Sequence, residues 1–461
     1  MSPIEFASYL GEPMISRRIV IPIIVCGAYC LLLAQSFPAS RDPLKWPFAQ
    51  HSCWNMPIGS DAAYAPAGIK ANTGTQWRPD QDIIVMKPKA RMTKIYFSSA
   101  GWSGGNRCAA NENKPRFSVP IPDSFVIGNE KSNASAAFLD SNGRMVKQCQ
   151  PFARCKPFDS GTSHFFFDKP VLSYGVLYDF HDMDIRDSTG EIGGHWGSKL
   201  SNLGGTIRVG EFTAGVIRHA MKVNLSSHIY YYYDFNCSAR NKDSCSFRWP
   251  AVSVDHYAYD KTDKDWYAGT NNVFIIGALL ALKPTFNLDT LQTIPGKIIA
   301  KAFQDYGAYV SDDAACDCWA LILERGPDGS VIDEVKSRYN ATISLTPHTD
   351  EFWKDMVKVF ENLHIITNNG PQNIGGGGTP RQPLAPPFIG TGISGDHGRV
   401  RQGGTSLQKI ALGLGQRNTR IKADFSGHIY TLRGEKAAAR YGSRGTSIAG
   451  LPPGVYVIKA K

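Results

Sequence analysis

Short runs of β-branched and aromatic residues recur along the chain, each bounded by turn formers: DIIVMKP (82–88), KIYFSSA (94–100), SHFFFDK (163–169) and VLSYGVLYDF (171–180). GTIRVGEF (205–212), HAMKVNL (219–225) and IYYYYDF (229–235) continue the pattern. Runs of this length and composition predict strands, and Ser141-Asn142-Gly143 predicts a turn between two of them. The spacing predicts a mainly β fold, a large β-sandwich or jelly-roll-like domain with a few helices. Helical periodicity appears in PGKIIAKAFQDYGAYV (295–310) and again in TDEFWKDMVKVFENLHIITNN (349–369). In the second, Thr349 is the expected cap, and Phe352, Met356, Val359, Phe360 and Leu363 share one face. The four glycines at 375–378, followed by repeated prolines, read as a loop or linker closing the large domain.

Charge changes this picture near the C-terminus. The net charge is +10 over 461 residues, and residues 389–461 hold twelve Lys/Arg against three Asp/Glu. That segment therefore carries +9 and residues 1–388 about +1. A nearly neutral large domain argues against a basic nucleic-acid face on it. Three segments result: 1–36, a large domain at 37–388 and a small basic β-sandwich domain at 389–461.

The first segment reads as a signal peptide or N-terminal anchor. Arg17-Arg18 precede an apolar run from Ile19 to Ala34, and Ala34-Gln35-Ser36 offers small residues where a signal peptidase reads. Eight cysteines remain beyond it, and an even number in an exported chain predicts disulfides. Cys149–Cys155 and Cys237–Cys245 are the expected local pairs, while Cys316 and Cys318 are expected to reach elsewhere. A metal reading of Cys316-x-Cys318 lacks a second paired ligand cluster.

Two resemblances rest on these residues. HIYTLRGEKAAA (428–439) and the closing LPPGVYVIKAK (451–461) resemble the C-terminal sorting domains of the type IX secretion system. That resemblance implies a small β-sandwich that engages secretion machinery. Residues 46–386 resemble a family of exported bacterial proteins to which no activity is assigned. The residues that carry it are CWNMPIGSDAAYAPAGI (53–69), GSKLSNLGGTIRVGE (197–211), RHAMKVNL (218–225), RWPAVSVDHYA (248–258), AFQDYGAYVSDDA (302–314) and GGGGTPRQPLAPP (375–387). It implies export and the domain boundary, and it names no reaction.

Candidate chemistry falls in three places. DFHDMDIRDSTGEIGGHWG (179–197) offers Asp182, Asp184 and Asp187 as oxygen ligands for Ca²⁺, without the EF-hand spacing. His181 and His195 with a carboxylate would suit a transition metal, and a solvated acidic loop is the plain alternative. In HAMKVNL, residues two apart share a face, so His219, Met221, Val223 and Leu225 oppose Ala220, Lys222 and Asn224. His219 reads as a core histidine or as a catalytic base. Arg208 reads as a bidentate clamp for an acidic sugar, or as the partner of a buried Glu. Tyr231, Tyr233, Trp249, Tyr257, Tyr259 and Trp266 offer stacking surface for sugar rings, or the rim of a core.

Hydrolysis requires two carboxylates about the scissile bond, and Asp255, Asp260, Asp305, Asp312, Asp313 and Glu211 are available. No nucleophile elbow, phosphate loop, zincin motif or dinucleotide fingerprint is present. The combined expectation is a secreted or cell-surface protein that acts on a polysaccharide or envelope glycan, as a hydrolase or lyase. His195, Arg208, His219, Tyr231 or Tyr233, and Asp255 form its catalytic set. Trp249, Tyr257, Tyr259 and Trp266 form its substrate surface, and Ca²⁺ at Asp182, Asp184 and Asp187 is the candidate cofactor. The alternative is a non-catalytic glycan-binding or structural extracellular protein.

Overall fold

The computed structural model of the chain describes residues 37–461, except 103, 168–170, 174–175, 179–182, 239–244, 344–349, 390–406, 412–426, 432–435, 441–454 and 461. The expected signal segment, His181, Asp182 and the expected cap Thr349 lie outside the described residues.

Fourteen strands join in one mixed sheet. Twelve follow a single hydrogen-bonded path: β1 (Tyr64–Pro66), β16 (His364–Ile366), β12 (Leu279–Ala281), β13 (Ala308–Asp313), β11 (Met221–Leu225), β14 (Cys318–Gly326), β3 (Asp80–Val85), β6 (Ala136–Leu139), β7 (Val146–Ala153), β8 (Gly161–Phe167), β4 (Met92–Phe97) and β5 (Phe117–Pro120). The short strands β2 (Gln76–Trp77) and β15 (Gly329–Ser330) pair with β14. The chain is mainly β, as its pattern predicts. Parallel pairing of β11 with β13, β14 with β3, β3 with β6 and β4 with β8 is what the pattern does not reveal. Parallel strands need long crossovers, and α1 (Glu211–Ala214), α2 (Ser227–Tyr230) and α3 (Ile294–Asp305) lie within those joining β3 to β14 or β11 to β13, whereas α4 (Val331–Tyr339) and α5 (Glu351–Glu361) lie between β15 and β16. A two-stranded hairpin, β9 (Val171–Ser173) with β10 (Val176–Tyr178), stands apart from the large sheet.

The sheet separates two cores. Ile83 and Val85 of β3 belong to the smaller core and Ile84 to the larger; in β6, Ala136 and Phe138 face the smaller and Ala137 and Leu139 the larger. Strands buried on both faces have no face left for water, which is why β6 and the Ile83–Val85 half of β3 read as unbroken apolar runs. In the smaller core Phe138 meets Phe152 edge-on, with centroids 5.0 Å apart. In the larger, Trp319 of β14 stacks on Phe360 at 4.9 Å and on Trp353 at 5.7 Å, tying α5 to the sheet.

Several local expectations change. The helix at 295–310 stops at Asp305, because Gly307 takes a φ of 78° and releases the chain into β13. Asp350 caps α5, its side chain accepting from the Trp353 N–H, and the helix ends at Glu361 before β16. Residues 206–208 form an isolated bridge rather than a strand, Ile207 pairing with Leu323. The tyrosine run is no strand either: α2 ends at Tyr230 and an irregular segment follows. The four glycines at 375–378 all have positive φ and are packed. A Cβ on Gly375 would lie 2.5 Å from the Pro57 carbonyl oxygen, so this segment is a fixed turn and no linker.

At the C-terminal end, β17 (Leu407–Ala411), β20 (Val455–Ala460), β18 (Gly427–Thr431) and β19 (Lys436–Arg440) form a four-stranded antiparallel sheet in that order. Among the described residues no helix is long and apolar enough to cross a membrane.

Disulfides join Cys108–Cys155, Cys237–Cys245 and Cys316–Cys318. The middle pair is the expected one; the others correct the expectation. Cys149 and Cys155 do not close a loop, because β7 runs extended between them through Ala153. Six extended residues span roughly 20 Å, and Cys149 faces the smaller core. Cys316 and Cys318 pair with each other at a Cα separation of 5.3 Å, within the range a disulfide spans. Peptide mapping without reduction is expected to recover Cys108 linked to Cys155, and a Cys149→Ala variant should retain that link. Recovery of a Cys149–Cys155 peptide would contradict this packing.

Candidate functional site

β11 alternates as HAMKVNL predicts: Met221, Val223 and Leu225 join the larger core, which leaves Lys222 and Asn224 on the opposite face. Lys222 is fully buried. Its ammonium donates to Asp82 Oδ2 of β3 at 2.6 Å and to the Ser201 carbonyl at 2.6 Å, and lies 3.0 Å from His195 Nε2. Asp82 Oδ2 also accepts from Thr206 Oγ1 at 2.8 Å and lies 3.2 Å from His195 Nε2. Two adjacent cations in a buried site disfavour each other. Burial and Lys222 push His195 down, but Asp82 and Asp312 prevail and raise it. Burial lowers Lys222 despite Asp82. Charges this close couple the titrations of the two groups. Burial raises Asp82, yet Lys222 and His195 outweigh it and hold the carboxyl below its ordinary range.

The network continues to the C-terminal end of β13. Ser311 is an extra residue there, since Val223 pairs with Val310 but Asn224 with Asp312. Such a bulge re-aims the residues beyond it. Ser311 Oγ donates to Asn224 Oδ1 at 2.7 Å, and Asp312 Oδ2 turns toward His195 Nδ1 at 3.4 Å. Asp255 approaches from another loop. A Cβ on Gly197 would lie 2.8 Å from Asp312 Oδ1 and 2.9 Å from Asp255 Oδ2, so the two carboxyls flank one small space that only glycine leaves open. Asp313 stands beside them. Three tyrosines serve the group: Tyr267 donates to Asp255 Oδ2 at 2.7 Å, Tyr257 to Asp313 Oδ2 at 2.9 Å, and Tyr231 to the Asp312 carbonyl at 2.8 Å. Burial, reinforced by Asp312 and Asp313, raises Asp255 well above the carboxylate range. Burial pushes Asp313 up to about 6, against bonds from Ser227 and Tyr257. These carboxyls hold their protons unequally, which is the condition for dividing acid and base roles.

Arg208 and His219 lie elsewhere, in a cleft with Lys45, Trp46, Trp54 and Thr206. Arg208 Nε donates to Glu324 Oε2 at 2.8 Å, with both residues nearly inaccessible. The bidentate edge expected for a ligand therefore faces a protein carboxylate. His219 Nδ1 lies 2.9 Å from the Ala220 carbonyl and Nε2 3.1 Å from Glu211 Oε2. Both partners are acceptors, so both nitrogens donate and no lone pair remains for a base. Burial lowers the His219 pKa, but Glu211 outweighs it and the net shift is upward.

The aromatic residues separate similarly. Tyr231 and Tyr257 belong to the acidic group. Tyr233 is buried against Tyr259 and Phe235, with centroids 6.0 and 4.8 Å away, and Trp249 packs edge-on to Tyr309 at 6.4 Å. Trp266 meets the exposed Phe235 at 5.9 Å and His228 at 5.7 Å, forming an aromatic rim beside the loop that holds Asp313 through Ser227. Of the expected calcium ligands, Asp182 lies outside the described residues. Asp184 and Asp187 both pair with the Arg144 guanidinium, which offsets part of their charge. Among the described residues no group of three His, Cys, Asp or Glu is placed to hold a metal ion.

Asp80, Asp82, Thr206 and Lys222 complete the network, and sequence reasoning assigned none of them a role. Their signal was present as charge within apolar strands: Asp82 opens an Ile-Ile-Val run and Lys222 alternates with Met221 and Val223, positions that charged residues occupy only when paired. No family model, curated protein or solved structure matches the chain.

Replacing Lys222 leaves Asp82 buried without its cation, a loss of about 3–5 kcal/mol for a broken buried pair. Urea denaturation of Lys222→Met is expected to show that loss, and Asp82→Asn on the same background should recover most of it. A loss below about 1 kcal/mol would mean that the pair is not sealed from water.

Proposed function

We propose that the chain is an exported polysaccharide hydrolase acting at Asp255, Asp312 and Asp313, with residues 1–36 as its leader and 389–461 as its sorting or attachment domain. The observation that carries the reading is the pair of carboxyls about Gly197, Asp255 and Asp312, with Asp313 beside them; burial raises Asp255 well above the carboxylate range and pushes Asp313 up to about 6. A protonated carboxyl can donate to the leaving oxygen of a glycosidic bond while a second activates water or attacks the sugar. Asp255 takes the acid role. Asp312, oriented by the Asp313 N–H at 3.0 Å and by His195, takes the base or nucleophile role. Lys222 and His195 act through Asp312 as positioning residues. The rim of Phe235, Tyr259 and Trp266 offers surface for sugar rings. The disulfides agree with an oxidising compartment.

A lyase is the weaker form of this reading, because Arg208 is engaged by Glu324 and His219 has no free lone pair. One observation favours a non-catalytic glycan-binding protein instead: Asp255 and Asp312 are only 6% and 7% exposed. The full chain, incubated with neutral and acidic polysaccharides, is expected to release reducing ends without unsaturated products. Asp255→Asn, which can still accept from Tyr267, should lower turnover by roughly 10²-fold or more with little change in melting temperature. A folded Asp255→Asn variant with unchanged turnover contradicts the assignment, and binding without any turnover by the wild type identifies a binding module.

A further inference from the structure

The cleft that holds Arg208 and His219 plays no part in the carboxyl chemistry, yet its polar lining is selective. Three of its residues carry cationic groups: Lys45, Arg208 and His219. His219 faces an acceptor with each ring nitrogen, an arrangement that favours the imidazolium. Glu324 and Glu211 neutralise part of this charge from behind. Each also accepts from a backbone donor, the Val209 N–H on Glu324 and the Arg208 N–H on Glu211, both at 2.7 Å. Among the described residues no carboxylate lines the cleft itself.

Arg208 is 3% exposed, and its Nη1 has no hydrogen-bond partner while Nε and Nη2 face Glu324. An unmet guanidinium donor in a buried setting is costly, and a bound acceptor removes the cost. The walls are apolar, with Trp46 and Trp54 beside the cations. The closed part of the cleft has room for about 10 Å³, on the order of one water or the end of one small polar group. Including its mouth the space reaches about 250 Å³. That shape fits a terminal anionic group carried on a larger body.

We infer that the cleft receives a carboxylate group of an acidic saccharide, with Arg208 Nη1 as its principal donor and Lys45 at the mouth. The saccharide part rests on the proposed function; the carboxylate part rests on the cleft alone. The bond is single and charge-assisted, since the guanidinium's other edge is taken. It is a docking contact and involves no proton abstraction.

Calorimetry on the full chain tests this with hexuronate trisaccharides of the galacto and gluco series, their methyl esters, and sodium acetate. At least one free trisaccharide is expected to bind roughly tenfold more tightly than its ester. Arg208→Lys keeps a cation for Glu324 but loses Nη1, and should lose that preference. Lys45→Met, at an exposed position, should weaken binding by about threefold through lost charge attraction, and it decides the matter if Arg208→Lys does not fold. Equal affinity for acid and ester, binding of neither series, or unchanged affinity in a folded Arg208→Lys would overturn the inference. So would acetate binding as tightly as the trisaccharides, which would mark a site for free small anions. Failure of the hydrolase reading appears as absent turnover and failure of this one as an absent preference for acid over ester, so the two appear in different measurements.

Discussion

A lysine ammonium with no water contact must be paired, and the pairing of Lys222 with Asp82 constrains much of what surrounds it. The two residues belong to β11 and β3, which do not pair directly because β14 lies between them. Their contact therefore requires a particular register across three strands, and a slip of one residue would turn Lys222 into the larger core. The remaining ammonium protons need acceptors, which the Ser201 carbonyl and His195 supply. The segment carrying both must press against the sheet, and its glycines make that approach possible. A Cβ on Gly205 would meet Trp54 and the Lys222 stem at 2.5 and 2.6 Å.

The same covering segment serves two places. Through His195 and Gly197 it bounds the acidic group at the end of β13. Through Gly204, Gly205 and Thr206 it forms part of the cationic cleft. Thr206 belongs to both, lining the cleft while donating to Asp82. Buried polar networks of this kind specify one arrangement, because each donor and acceptor left unmatched carries a penalty larger than a bond's net gain. An acidic group with unequal proton affinities follows from burial beside a fixed charge pattern, without any special residue chemistry.

How much of this is legible in the chain depends on the range of the interaction. Periodicity is local, so the class of fold, β11 and its two faces, and the apolar face of α5 read correctly. His195, Tyr231, Asp255 and Tyr257 were all candidates, and the fold brings them to one group. Nothing local shows that Arg208 meets Glu324, that Cys155 pairs with Cys108, or that Asp312 and Asp313 close on Asp255. Those contacts join residues from 47 to 116 positions apart, in a sheet whose parallel pairs leave no mark on hydrophobic period. The tyrosine run misleads for a related reason: four aromatic residues suit a strand, but Tyr231 is claimed by the Leu225 N–H and the Asp312 carbonyl, and that anchoring ends the helical turn instead.

The account's central claim is that the folded chain raises the proton affinity of Asp255 and Asp313 within the acidic group. Carbon-detected titration of the aspartate carboxyls in the full chain measures it directly. The expected result is an Asp313 midpoint near 6 and an Asp255 midpoint well above the ordinary 3.8. With both groups raised, ionising them opposes folding, so this part of the stability is present at low pH and falls as pH rises through those midpoints. Asp255 and Asp313 titrating together near 3.8 would contradict the claim, for the carboxyls would then be solvated and unequipped to share acid and base roles.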